Sequence, residues 1–112
     1  MNPIELIQAE QRRQLSLGWT PDHDDLFHGN GDLARAAACY ALEPDDRAFV
    51  VTTEGGRTGT VGNLLWPFPL NDHTPPQGPK PQPSRVIELV KAGALIVAEI
   101  ERLQRAEQKG GR

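Results

Sequence analysis

The sequence predicts a mainly α-helical domain, with three helices and a small β-hairpin or irregular loop region between the second and the third. Two stretches repeat apolar residues at helical spacing, one near the N-terminus and one after residue 31. A third stretch, residues 86–100, is almost wholly apolar, and most prolines lie between residues 67 and 83. The 112 residues are 38% hydrophobic and 24% charged, which is typical of one globular domain spanning residues 1–112.

The first predicted helix spans about residues 3–17. Asn2 is a favourable N-cap, Pro3 suits the first helical position, and Glu5 stands where the acid of a capping box belongs. Gly18 is a suitable residue just past the helix end.

The second predicted helix spans about residues 31–43 and follows a polar connector, residues 18–31. Its apolar face is formed by Leu33, Ala36, Ala37 and Tyr40. Pro44 is expected to end this helix.

The middle of the chain predicts a short hairpin followed by an extended segment. Residues 48–53 have the composition of a strand, and the glycines at 55, 56, 59 and 62 indicate turns. Residues 75–83 contain five prolines and therefore predict a semi-rigid connector.

The third predicted helix spans about residues 85–108 and is apolar on nearly every side. Such a helix needs several neighbours, and two shorter helices and a hairpin provide few. We therefore expect a homo-oligomer that completes the helical core, the alternative being a monomer wrapped by the middle loop. Gly93 is expected to allow close approach of another helix. Residues 109–112 are expected to form a frayed tail.

Charge and cysteine content exclude several classes of protein. A formal charge of −3 argues against bulk nucleic-acid binding. The single cysteine, Cys39, excludes an internal disulfide framework and is expected to be a small buried residue. No apolar run reaches the ~20 residues of a membrane span, and the N-terminus lacks the order of a signal peptide, which favours the cytosol.

The densest polar cluster contains His23, Asp24, Asp25 and His28. Imidazoles and carboxylates are ligands of divalent metals, so Asp24, Asp25 and His28 are candidate metal ligands. The spacing matches neither an HExxH helix nor a calcium loop. The alternative is that the aspartates form turns and the histidines cap carbonyls or lie in solvent.

Two tryptophans in predicted loops either cover the edge of the core or stack on a planar ligand. With arginines of the first helix and the two histidines of the polar cluster, they form a candidate ligand-binding set. Its members are Arg12, Arg13, Trp19, His23, His28 and Trp66.

Glu10 and Glu99 lie close to apolar helix faces and need partners there. Arg13 and Arg102, each three residues further on, can form ordinary ion pairs with them. The alternative is that the two carboxylates bind magnesium ions.

Several motifs together resemble a family of small proteins encoded by tailed phages and prophages. They are Glu10-x-x-Arg13-Gln14, Gly18-Trp19-Thr20-x-x-His23-Asp24-Asp25, Leu33-x-x-Ala36-Ala37-x-x-Tyr40-Ala41, Trp66-Pro67-Phe68, and residues 91–103. The resemblance covers most of the chain except residues 45–63 and the proline-rich segment. It implies a phage accessory protein in the host cytoplasm.

A more distant similarity is to the all-helical nucleotide pyrophosphohydrolases of the MazG type. Their repeated Glu-x-x-Glu pattern, which holds magnesium, is absent here, because Glu99-Ile100-Glu101 has a different spacing.

Three functional hypotheses follow. The first is a protein that binds a small nucleotide-type ligand without catalysis or cofactor and sequesters a host-defence signal. The second is a metal-dependent nucleotide hydrolase that uses Mg²⁺ or Mn²⁺. The third is an inhibitor that binds a host enzyme through an exposed Trp66-Pro67-Phe68 segment.

Overall fold

The structure, a computed structural model, describes residues 1–68, 75–76 and 84–110. The elements are α1 (Pro3–Ser16), α2 (Pro21–Phe27), α3 (Asp32–Ala41), α4 (Pro44–Arg47), β1 (Val50–Thr52), β2 (Thr58–Thr60), α5 (Val61–Leu65) and α6 (Ser84–Gly110). The mainly helical class is confirmed. The described residues form six helices rather than three, because three short helices accompany the three predicted ones.

Helix α6 is the element against which α3, α1 and α2 all pack. The buried core between α3 and α6 consists of Leu33, Ala36, Ala37 and Leu95. The two alanines allow the helices to approach closely, and each buried leucine contributes about 1.5–3 kcal/mol relative to an exposed one.

Helix α1 begins and ends as its sequence predicts. The side chain of Asn2 accepts a hydrogen bond from the backbone N–H of Glu5, whose carboxylate accepts one from the N–H of Asn2, both at 2.9 Å. At the other end Gly18 has a φ of 99°, and the N–H of Trp19 donates to the Gln14 carbonyl at 3.0 Å. This Schellman turn sets the direction of the chain and so places Trp19.

Gly93 lets α1 approach α6. A Cβ atom at this position would lie 2.7 Å from Cδ1 of Ile7 in α1, which is closer than non-bonded carbon atoms pack. The close helix approach expected at Gly93 is therefore made within the chain.

The predicted connector, residues 18–31, contains helix α2. The hydroxyl of Thr20 accepts a hydrogen bond from the N–H of His23 at 3.2 Å, and Pro21 is the first helical residue. A Thr-Pro-Asp sequence indicates a turn, but it is also a favourable helix start. With seven residues, α2 is too short for an apolar period to reveal it.

The second predicted helix, residues 31–43, is α3 and already ends at Ala41. Glu43 is extended, the conformation that a residue before proline prefers. Pro44 then opens α4, because its fixed φ also suits a helix start.

The middle of the chain forms the hairpin rather than an irregular loop. Strands β1 and β2 pair antiparallel, with Val50 opposite Thr60, Val51 opposite Gly59 and Thr52 opposite Thr58. The strand expected over residues 48–53 is confined to β1, and Gly56 has a φ of 86° in the turn.

Helix α6 is slightly longer than the predicted residues 85–108. Lys109 and Gly110, which were expected in a frayed tail, are helical, and residues 111–112 lie outside the described residues. Of the proline-rich segment only Pro75 and Pro76 are described, and both are buried. The connector predicted over the rest of that segment lies outside the described residues.

Three charged side chains from α4 and α6 are buried together. Arg47 is 2% exposed, Glu88 3% and Arg85 9%. Nη2 of Arg47 donates to both carboxylate oxygens of Glu88 at 3.0 Å, and Arg85 donates to the same carboxylate at 3.3 Å. We call these three residues the buried ion cluster.

The buried ion cluster also caps α3. Arg47 donates to the carbonyl of Cys39 at 3.1 Å, and Arg85 donates to the carbonyls of Tyr40 and Ala41 at 2.9 and 2.6 Å. The last carbonyls of a helix have no partner within it, and cations are favourable at this end of the helix dipole. The cluster therefore joins the C-terminus of α3 to α4 and α6.

Cys39 is fully buried, as the sequence predicts. Its thiol donates to the carbonyl of Gly62 at 3.5 Å. Burial raises the pKa of Cys39 to about 11, although the charge of Arg47 acts in the opposite direction.

Glu88→Ala is expected to lower the free energy of unfolding by about 3–5 kcal/mol, because it leaves two buried guanidinium groups without their carboxylate. Urea denaturation followed by circular dichroism measures this change. Glu107→Ala, at an exposed position of the same helix, is the matched control and should change stability by less than about 0.5 kcal/mol. Equal effects of the two substitutions would contradict the structural role of the cluster.

Helix α6 leaves several apolar side chains exposed. The exposed fractions are 53% for Ile87, 47% for Ile96, 49% for Ile100 and 46% for Leu103. The predicted burial of this helix by a second copy of the chain stays a prediction. In the described ranges, none of the helices combines the length and apolar character that crossing a bilayer requires.

If a second copy covers α6, light scattering coupled to size-exclusion chromatography should give a multiple of 12.3 kDa. Ile96→Glu should then restore the single-chain mass, because burying a carboxylate without a partner is unfavourable. Ile4→Glu on α1 is the comparison variant. A single-chain mass for the unsubstituted protein at all concentrations would contradict the prediction.

Candidate functional site

A cavity of about 310 Å³ opens between α1, α3, α6 and the segment after α5. Its lining consists of Glu10, Arg13, Gln14, Leu17, Trp19, Ala36, Tyr40, Trp66, Phe68, Lys91 and Leu95. Four aromatic rings thus meet charged groups from α1 and α6 in one space. We call it the aromatic cavity.

The four rings form a continuous edge-to-face series. The ring centres of Tyr40 and Trp66 are 5.8 Å apart, those of Trp66 and Phe68 5.3 Å, and those of Phe68 and Trp19 5.4 Å. The interplanar angles lie between 77° and 88°. Each such pair stabilises the fold by about 0.5–1.5 kcal/mol beyond the burial of apolar area. The four rings therefore form a well-ordered wall of the cavity.

The polar part of the lining is centred on Glu10. Arg13 donates two hydrogen bonds to its carboxylate, at 2.8 and 2.7 Å, and Gln14 donates a third at 3.1 Å. Nζ of Lys91, from α6, lies 5.7 Å from the centre of the Tyr40 ring, within cation–π range.

The charges of the cavity favour an anion. Burial raises the pKa of Glu10, but hydrogen bonds from Arg13 and Gln14 and the charges of Arg13 and Lys91 outweigh it, so that the pKa lies below its usual 4.5. Burial raises the pKa of Tyr40, which keeps its phenol neutral. Two cations thus face one carboxylate among the described lining residues, which leaves an excess of positive charge.

Beyond Trp19, helix α2 and the residue after it bring His23, Asp24 and His28 together. The His28 ring stacks on Trp19 with ring centres 5.1 Å apart and 19° between planes, and the ring centre of His23 is 4.9 Å from that of His28. Burial raises the pKa of Asp24 and lowers that of His28. We call these three residues the His–Asp cluster.

The structure brings together three of the six predicted ligand-binding residues, since Arg13, Trp19 and Trp66 all line the aromatic cavity. His23 and His28 lie in the His–Asp cluster next to Trp19 and do not line it. Arg12 is exposed and outside the cavity.

Of the three predicted metal ligands, Asp24 and His28 lie together and Asp25 does not join them. Nη2 of Arg105 in α6 donates to the Asp25 carboxylate at 2.8 Å, and Nε donates at 3.1 Å. Residues four apart in a helix share a face, whereas the next residue points elsewhere. Asp24 therefore faces His28, and His23 takes the third position.

Glu10 and Glu99 are both in ion pairs with arginine. Arg102 donates to Glu99 at 2.6 and 3.2 Å, in the same bidentate manner as Arg13 to Glu10. Of the two alternatives that the sequence left open, the ordinary ion pair is the one that the structure contains.

The sequence did not indicate Gln14, Tyr40, Phe68 or Lys91 as residues of a ligand-binding site. Lys91 could have been found from the sequence, because it is one of three charged residues that interrupt the apolar stretch of α6. The other two, Glu88 and Glu99, are buried and paired in the structure. Tyr40 carried none, since its spacing is that of an ordinary helix face.

The Trp66-Pro67-Phe68 segment is half-buried, and both of its rings pack against the core cluster. The protein-inhibitor hypothesis required this segment to be exposed. Its side chains belong to the wall of the aromatic cavity instead.

Comparison with protein-family models, curated proteins and solved structures found no match for this chain. The resemblance to phage accessory proteins therefore stays a prediction.

Glu10→Gln tests the polar part of the cavity through pH. Because the pKa of Glu10 is lowered in the folded protein, its ion pair stabilises the fold above about pH 4.5, and this stabilisation is lost as the pH falls below that value. The variant should be less stable at neutral pH by less than about 1 kcal/mol, since Arg13 is half-exposed. Thermal unfolding between pH 3 and pH 7 should show a smaller acid destabilisation for the variant than for the parent, roughly by that amount. Identical pH profiles would contradict the assignment.

Proposed function

We propose that this protein binds a small nucleotide-type ligand in the aromatic cavity, without catalysis. The observation that carries the proposal is the meeting of Trp19, Trp66, Arg13 and Lys91 in one cavity. Nucleobases stack on aromatic side chains, and phosphates pair with guanidinium and ammonium groups.

The size of the cavity supports a small ligand. Its volume of about 310 Å³ is at the lower end of the range of roughly 300–1,000 Å³ for small-molecule sites. The excess positive charge of the described lining agrees with an anionic group on the ligand.

Binding without turnover in the aromatic cavity is supported by the state of two carboxylates, one in its lining and one in helix α2. Glu10 accepts three hydrogen bonds and Asp25 is held by Arg105, so neither is disposed to activate a water molecule. The finer proposal, sequestration of a host-defence signal, rests on the resemblance to phage proteins.

Intrinsic fluorescence is a direct test, because both tryptophans of the chain line the aromatic cavity. Mono-, di- and cyclic nucleotides and ADP-ribose should be titrated into the protein, and a base stacking in the cavity should quench the emission. Lys91→Met should weaken the binding of phosphate-bearing ligands about tenfold, which corresponds to about 1.4 kcal/mol. The affinity for the matching nucleosides should not change. Arg12→Ala is the matched control, since this exposed cation lies in α1 outside the cavity.

Three outcomes would count against this proposal, and the measurements distinguish them. No quenching by any member of the panel in a folded protein would reject the proposal. Equal losses in the Lys91 and Arg12 variants would place the ligand elsewhere. Mass spectrometry of ligand recovered after incubation should show it unchanged, whereas a converted ligand would favour the metal-dependent hydrolase.

A further inference from the structure

We infer that the His–Asp cluster is a binding site for one transition-metal ion of the Zn²⁺ type, with His23, Asp24 and His28 as its protein ligands. One potential ligand atom from each of the three residues lies within 4.8 Å of the others. The inference is independent of the proposed nucleotide binding.

The first argument is that the polar atoms of the cluster lack partners. Nδ1 of His23, Oδ1 of Asp24 and Nε2 of His28 are inaccessible to solvent and make no hydrogen bond, whereas Nδ1 of His28 has the Asp32 carboxylate 3.6 Å away. Asp24 is 5% exposed and His28 7%. Buried polar groups normally have partners, because leaving them without one is costly. A bound cation would satisfy all three side chains at once.

The second argument is the chemistry of the ligand set. Two imidazoles and one carboxylate suit Zn²⁺, Co²⁺ or Ni²⁺, whereas Mg²⁺ prefers oxygen ligands alone. The ligand set thus favours a metal that accepts nitrogen over the magnesium of the hydrolase hypothesis. Ligand atoms on a tetrahedral ion stand about 3.4 Å apart, and Nδ1 of His23 is 3.9 Å from Oδ1 of Asp24. This pair is therefore close to the spacing that a bound ion requires, and the third ligand atom lies within 4.8 Å of both.

The surroundings are those of a metal site. The Asp32 carboxylate lies 3.6 Å from Nδ1 of His28, where it can hold the proton of that nitrogen and leave Nε2 as the ligand. Arg105, the neighbouring cation, is bound to Asp25. Arg35 likewise lies 3.5 Å from Asp32, so that Asp24 is the one of these three carboxylates that has no arginine ion pair among the described residues.

One of the three ligands also lines a cavity. Asp24 lines a second cavity of about 190 Å³, together with Trp19, Pro21 and Arg105. Three protein ligands leave the fourth tetrahedral position to water.

The stacking of His28 on Trp19 makes the site optically detectable. In a Trp66→Phe variant Trp19 is the single tryptophan, and Co²⁺ or Ni²⁺ bound next to it should quench its emission. Chelator-treated protein should be titrated with ZnCl₂ by calorimetry and with CoCl₂ by absorption and fluorescence. We expect one ion per chain and a Co²⁺ absorption spectrum of tetrahedral intensity.

Asp24→Asn and His23→Gln each remove one ligand and should weaken Zn²⁺ binding by roughly tenfold to a hundredfold or more. His23 is the safer position, because its side chain is 37% exposed and the substitution spares the stacked pair. Asp25→Asn is the matched control and should leave the affinity unchanged. Circular dichroism with chelator present verifies the fold of each variant.

The inference is overturned if the folded parent binds no Zn²⁺ at about 100 µM metal, a concentration that detects a site with a Kd of that order or lower. Unchanged affinity in both the Asp24 and the His23 variants would overturn it as well, because the ion would then bind elsewhere.

Discussion

The contact between the Arg47 guanidinium and the Glu88 carboxylate fixes the arrangement of the helices around the site. It joins α4 to α6, and the two arginines of the buried ion cluster bind the last carbonyls of α3. The end of α3 that carries Tyr40 is thereby held against the part of α6 that carries Lys91. Those two side chains meet in the aromatic cavity, so the buried ion cluster, which lies outside the cavity, joins two of the helices that line it.

Local signals in the sequence were sufficient for the two ends of α1. The capping box at Asn2 and the glycine at position 18 each act within a few residues, and both are present as predicted. Helix α2 was missed because Thr20 and Pro21 are compatible with either a turn or a helix, and its contact with α6, the salt bridge between Asp25 and Arg105, joins residues 80 positions apart. The buried ion cluster could not be predicted for the same reason, since Arg47 and Glu88 are 41 residues apart.

The candidate sites show the same difference between local sequence signals and contacts between distant residues. Residue chemistry indicated Trp19, Trp66 and Arg13, but only the packing of α1 on α6 at Gly93 shows that they share a cavity with Lys91. For the His–Asp cluster the sequence indicated Asp24 and His28, and it also included Asp25, whose carboxylate pairs with Arg105 instead. The exclusion of Asp25 follows from helix geometry together with a cation on another helix, and the position of that cation is not encoded locally.

The burial of Cys39 has a consequence for redox chemistry. A thiolate, not a thiol, attacks disulfides and reacts with oxidants, and a pKa of about 11 leaves almost none of this form at neutral pH. The sulfur is also inaccessible to a reagent, since the residue is 0% exposed. Burial of the single cysteine therefore disfavours cross-linking of the folded chain through sulfur, and an association between copies is expected to be noncovalent.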